Sequence, residues 1–108
     1  MYDNSPLTEA VYYILLSLYR PRHGYGIMQQ AETLSHGRVR LAAGTLYGAL
    51  NSLSERGWIT ALPGEAGSRR KEYRLTDAGE QALRQELDRL KELVSNGESI
   101  LEGENHED

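Results

Sequence analysis

Apolar residues recur along this chain with two different periods, and the switch between them lays out its elements. From Ser5-Pro6 onward, Leu7, Val11, Ile14, Leu15 and Leu18 fall three or four residues apart, which is the spacing of one helix face. Serine caps helices and proline suits the first helical position, so a helix is predicted to start there and to end at Pro21. Tyr12, Tyr13, Leu16 and Tyr19 widen its apolar surface beyond a single core-facing stripe. That helix should pack on two sides. A second helix is predicted over residues 23–34, HGYGIMQQAETL, with Ile27, Met28, Ala31 and Leu34 on its buried side. After a linker at 35–41, Leu46, Leu50 and Leu53 recur at i, i+4 and i+7 with Ala49 beside them, and Gly57 follows as a helix stop.

The period then shortens to two. WITAL (58–62) favours a strand and runs into Pro63-Gly64, while KEYRL (71–75) alternates, with Tyr73 and Leu75 on one face and Glu72 and Arg74 on the other. Trp58, Tyr73, Leu75 and the three leucines of the third helix are expected in the core. Thr76 is placed to cap a last helix, with Asp77 and Glu80 suited to its dipole. Leu83, Leu87, Leu90 and Val94 follow the seam spacing of a coiled coil. Two heptads are too few to stand alone, but packed with the first helix of a twin subunit they suffice. Leu7, Val11, Leu83, Leu87, Leu90 and Val94 are therefore the candidate dimerisation residues. Asn96-Gly97 is expected to weaken or stop the helix, and the acidic tail to be disordered from about residue 103. Three helices, a hairpin and a closing helix describe a mainly α winged helix-turn-helix. Residues 1–80 are expected to form the winged-helix domain, and 81–108 a dimerisation helix and acidic tail.

Composition narrows the chemistry. With 108 residues the chain has the length of one domain, and it contains no Cys, which excludes disulfides, thiolate metal sites and a thiol nucleophile. No apolar run reaches membrane-spanning length and the N-terminus lacks a signal pattern, so a cytoplasmic protein is expected. His23, His36 and His106 have no metal-ligand spacing around them; His23 is placed to cap the second helix. No paired carboxylates, Ser-His-Asp set or phosphate loop is present, so nothing supports an enzyme. The formal net charge is −4, which alone argues against nucleic acid. Its distribution reverses that argument. Residues 20–74 hold nine Arg or Lys and four Asp or Glu, a net of +5, and the remainder nets −9. A basic middle between acidic ends suits a protein with one phosphate-facing surface. Arg69, Arg70 and Lys71, beside a Gly-rich loop, lie where the hairpin should turn.

HGYGI (His23 to Ile27), GTLYGALNSLSERGWI (Gly44 to Ile59) and RRKEYRLTDAGEQAL (Arg69 to Leu83), in this order and spacing, resemble the PadR family of bacterial transcription regulators. The likeness runs from the first helix to the last, and its longest piece is the specific one. The short last helix is similar to that of the smaller members. The resemblance implies a winged-helix homodimer, usually a repressor on a palindromic operator in double-stranded DNA, often released by a small aromatic or drug-like effector, with no cofactor. Carried over, Ala43, Gly44, Thr45, Gly48 and Asn51 fall on the exposed side of the recognition helix. The two glycines would allow close approach, and Thr45 and Asn51 would bond phosphates or base edges. Tyr47 matches a family tyrosine near the DNA backbone; a half-buried packing role is the alternative, and both can hold. Arg69, Arg70 and Lys71 would meet phosphate or the minor groove, with Arg38 and Arg40 as further candidates. Tyr12, Tyr13 and Tyr19 are candidates for an effector pocket, with packing across a dimer interface as the plainer account. Some members stack ligands on a tryptophan of the last helix, and this one has none. A winged helix used for protein–protein contact remains the alternative function, since the third helix has a largely uncharged outer face.

Overall fold

The computed structural model describes residues 5–62 and 71–103. Four helices and three short strands follow in the order α1 (Glu9–Ser17), β1 (Arg22–His23), α2 (Gly24–Leu34), α3 (Ala43–Glu55), β2 (Ile59–Leu62), β3 (Glu72–Leu75) and α4 (Asp77–Leu101). The fold is a mainly helical winged helix. The hairpin tip at 63–70, with Arg69 and Arg70, and the tail from 104 lie outside the described residues.

The core forms where the apolar stripes converge. Ile14, Leu15 and Leu18 from α1, Ile27 from α2, Leu46, Leu50 and Leu53 from α3, Ile59 and Leu83 make one buried cluster. Burying each of these large side chains stabilises by about 1.5–3 kcal/mol. Trp58, Tyr73 and Leu75 are half-buried against that cluster. The expected boundary at 80/81 falls inside α4, whose Leu83 is a core residue.

Capping sets four of the ends. Thr8 accepts a hydrogen bond from the Val11 amide at 3.1 Å and starts α1, so the helix begins after Ser5-Pro6 rather than at it. α2 closes through His36 (φ 55°) and Gly37 (φ 82°), with the Gly37 amide donating to the Glu32 carbonyl at 2.8 Å. Leu34 ends up exposed rather than buried, because the buried line of α2 runs through Ile27 and Ala31 to Ser35 and leaves Leu34 at its edge. Gly57 (φ 80°) ends α3 as expected. Thr76 then joins three elements: its hydroxyl donates to the Gly57 carbonyl at 2.6 Å and accepts from the Gly79 amide at 3.1 Å, and its own amide donates to the Trp58 carbonyl at 3.0 Å.

The sheet has the order β1-β3-β2, antiparallel throughout. β3 is central, with Tyr73 opposite Arg22 on one side and Ala61 on the other. The two-residue β1 is too short for a periodicity argument to find. Arg22 is held from behind, its Nε donating to the Ser17 carbonyl at 2.7 Å. α4 runs unbroken through Asn96-Gly97 to Leu101. At about 1.5 Å per residue it is roughly 37 Å long, and a single glycine inside a strong helical run does not suffice to stop it.

Candidate nucleic-acid interface

α3 divides cleanly by face. Leu46, Leu50 and Leu53 are buried, which turns Ala43, Gly44, Thr45, Gly48 and Asn51 outward, all exposed. A Cβ built on Gly44 or Gly48 meets nothing within 4 Å. No side chain caps the helix at Ala42, and Glu55 is its one residue charged at neutral pH. The outward face is small, polar and neutral, a shape another molecule can approach to backbone distance.

Beside this face lies a cleft of about 860 Å³, where α3, the start of α2 and the root of the hairpin meet. Tyr47 and Asn51 enter from α3, Tyr25 and Gln29 from α2, and Lys71 and Tyr73 from the hairpin strand. Arg22 and His23 of β1 form its edge. Tyr25 is 68% exposed. Burial, and then the neighbouring Tyr47, push the Tyr73 phenol above its ordinary value. Of the residues expected at the site, Tyr47, Asn51 and Lys71 share this cleft. Arg38 and Arg40 do not line it: Arg38 Nε lies 2.9 Å from Glu9 and Arg40 Nε 3.6 Å from Glu32. Arg22, Tyr25, Gln29 and Tyr73 were not expected here. Tyr25 sits in the His-Gly-Tyr motif, and an aromatic on the outer side of a helix start is the signal that marks it. His23 occupies the N-cap position of α2 without a side-chain capping bond.

The terminal helices carry the remaining candidates. α4 packs on α1 and β3, and Glu86, 6% exposed, holds the two ends together. It accepts from Arg89 Nε at 2.9 Å and from the Leu7 amide at 3.3 Å. The Arg89 bond holds the Glu86 carboxyl below its usual range against the opposing effect of burial. Leu7 and Val11 are half-buried against the core of their own subunit. Further along α4, Leu87, Leu93, Val94, Ile100 and Leu101 are exposed, Val94 at 57% and Leu101 at 84%. Tyr12 and Tyr13 meet edge to face with ring centroids 6.0 Å apart. Tyr19 lies past the end of α1, near Arg84. Among the described residues, no helix is long and apolar enough to cross a membrane and no group of His, Asp or Glu is placed to hold a metal ion.

The model of the transcriptional regulator PadR-like family matches residues 13–85, from the middle of α1 into α4. No curated protein matches the chain. Among solved structures, a PadR family transcriptional regulator from Eggerthella lenta is 28% identical, with 87% of this chain and 82% of that chain covered and a TM-score of 0.70. A transcriptional regulator from Clostridium thermocellum is 25% identical, with 87% and 95% covered and a TM-score of 0.70. BpsR of Bordetella bronchiseptica, whose DNA binding is regulated by 6-hydroxynicotinic acid, is 15% identical over 94% and 73% of the chains, with a TM-score of 0.69. At that identity the likeness is one of fold.

Proposed function

This chain belongs to the PadR-like family of transcriptional regulators, and from that premise we propose that it is a cytoplasmic homodimeric repressor of a palindromic operator. Each subunit lays the outer face of α3 in a major groove, with Thr45 and Asn51 toward base edges and Gly44 and Gly48 allowing the close approach. The hairpin cations Arg69, Arg70 and Lys71 hold the flanking backbone. Two-fold pairing sets the α3 helices about 34 Å apart, one turn of DNA. The winged-helix part extends through the start of α4, and the exposed apolar face beyond Leu83 pairs with a second copy.

The observation that carries this proposal is the single cleft into which Tyr47, Asn51 and Lys71 all open. A recognition helix and a wing must address the same duplex, and side chains from both share one concave surface. The unpaired apolar side chains of α4 supply the reason for a dimer. The regulation of BpsR by 6-hydroxynicotinic acid suggests an aromatic effector as the release signal, with Tyr12, Tyr13 and Tyr19 between the terminal helices as its contacts.

Fluorescence anisotropy on labelled duplexes tests the core of the proposal. The expected result is binding to mixed duplex DNA at low salt that falls steeply as salt rises, and a palindromic fragment selected from genomic DNA that binds far more tightly. No binding at low salt would move the function to a protein partner of α3.

A further inference from the structure

Gly24, the first residue of α2, is buried. Alanine is ordinarily the better helix residue, and His23 before it has an extended backbone that any residue adopts. The reason for glycine lies outside the helix. A Cβ built on Gly24 would overlap the Tyr47 hydroxyl and stand 2.8 Å from Cζ and 3.3 Å from Cε1 of the same ring. The three atoms nearest to that position all belong to the far end of Tyr47. Tyr47 itself is 46% exposed, so its ring has open solvent to swing into.

From this contact we infer that Gly24 is the seat of Tyr47, a positioning residue that holds the tyrosine of α3 flat over the start of α2 and aims its hydroxyl into the cleft. The inference rests on the DNA-binding proposal for its consequence, not for its geometry. In the seated position Tyr47 lines the cleft together with Gly24, Lys71 and Asn51, where a backbone phosphate would lie. Any side chain at position 24 unseats the ring. Because the obstacle is the tip of a side chain with room to move, the helix survives and the ring yields. Gly24 thus affects DNA without touching it, and couples α2 to the recognition helix through one aromatic ring.

The test is a double-mutant cycle on the full chain with Gly24→Ala, Tyr47→Ala and the pair, using a selected operator duplex. Tyr47→Ala is expected to lower affinity of the dimer about a hundredfold, the effect of losing one hydrogen bond to a charged group in each subunit. Gly24→Ala should reproduce most of that loss with a melting temperature equal to or above that of the natural sequence. The double variant should bind no worse than Tyr47→Ala alone. Gly24→Ala that binds normally, losses that multiply in the double variant, or a melting temperature several degrees lower would each overturn the inference. Nuclear Overhauser contacts between the Gly24 α-protons and the Tyr47 ring read the seat without DNA: present in the natural protein, lost in Gly24→Ala. If the natural protein binds no duplex while those contacts behave as described, the DNA-binding proposal fails and the seat stands. If the contacts are missing from the natural protein, the seat fails alone.

Discussion

A single methyl group added at different glycines of this molecule meets opposite surroundings, and the surroundings decide the outcome. At Gly79 the new Cβ would strike the Trp58 carbonyl oxygen and lie 2.9 Å from its carbon. That neighbour is backbone, already committed to the Thr76 amide, and it has nowhere to go. Gly79→Ala is expected to destabilise by about 1–3 kcal/mol, the range for overpacking a fitted site, as read by urea unfolding. At Gly44 and Gly48 the methyl meets open space. Replacing a helical glycine with alanine there should raise stability by roughly 0.5–1 kcal/mol per site, while the same substitution lowers operator affinity because it fills the gap to the groove. Stability rising as binding falls is a signature that a packing role for these glycines does not produce. Which residues of α3 face outward was legible in the sequence because Leu46, Leu50 and Leu53 fix which side faces inward. The contact of Gly24 with Tyr47 was not, since it joins residues 23 positions apart whose meeting depends on how α2 crosses α3.

At the level of elements, periodicity located the helices but misjudged the start of α1 and the end of α4, and each miss has a local cause. Ser5-Pro6 has the residues of a helix start, yet Thr8 captures the first free amides and α1 begins at Glu9. The segment before Thr8 stays outside the helix, with the Leu7 amide bonded to Glu86. Asn96-Gly97 has the residues of a stop, but nothing there offers a competing cap, and α4 continues to Leu101. β1 escaped notice because pairing with β3, not its own pattern, makes it a strand. The Glu86 junction leads to a pH prediction. A carboxyl whose folded value is depressed stabilises the native state above its unfolded value near 4.3. Its contribution is complete at neutral pH and disappears as pH falls through the lower folded value. Glu86→Gln should therefore melt below the natural protein at pH 7, and the gap should narrow as pH is lowered below about 4.3, measured by circular dichroism. α4 carries a second prediction. Leu87 and Val94 are exposed in the subunit, so Leu87→Glu with Val94→Glu should leave the subunit fold nearly unchanged. A melting temperature that depends on protein concentration, and a dimer mass in sedimentation, should both be lost with the pair.

Across the whole molecule, charge is sorted along the chain, and sorting of this kind has a measurable thermodynamic consequence. The segment from 20 to 74 is cationic while both ends are acidic, so a polyanion is attracted by the middle of the chain and repelled by its ends. Arg38 and Arg40 already face Glu9 and Glu32; both pairs are exposed and worth little individually. They lower the positive charge that α3's flank presents, so in the proposed complex the wing is expected to supply most of the phosphate contacts. Each phosphate neutralised contributes about 0.9 to the slope of log affinity against log salt. Replacing Arg69, Arg70 and Lys71 by alanine removes six side chains from a dimer, so the slope should flatten by as much as about 5. Affinity at low salt should fall for operator and mixed duplex alike. Asn51→Ala should do the reverse, leaving the slope in place and reducing the preference for the operator, since a base-edge contact releases no counterions. A wing variant that lost operator preference and kept its slope would exchange the two assignments, placing sequence readout in the hairpin and the electrostatic footing on the helices.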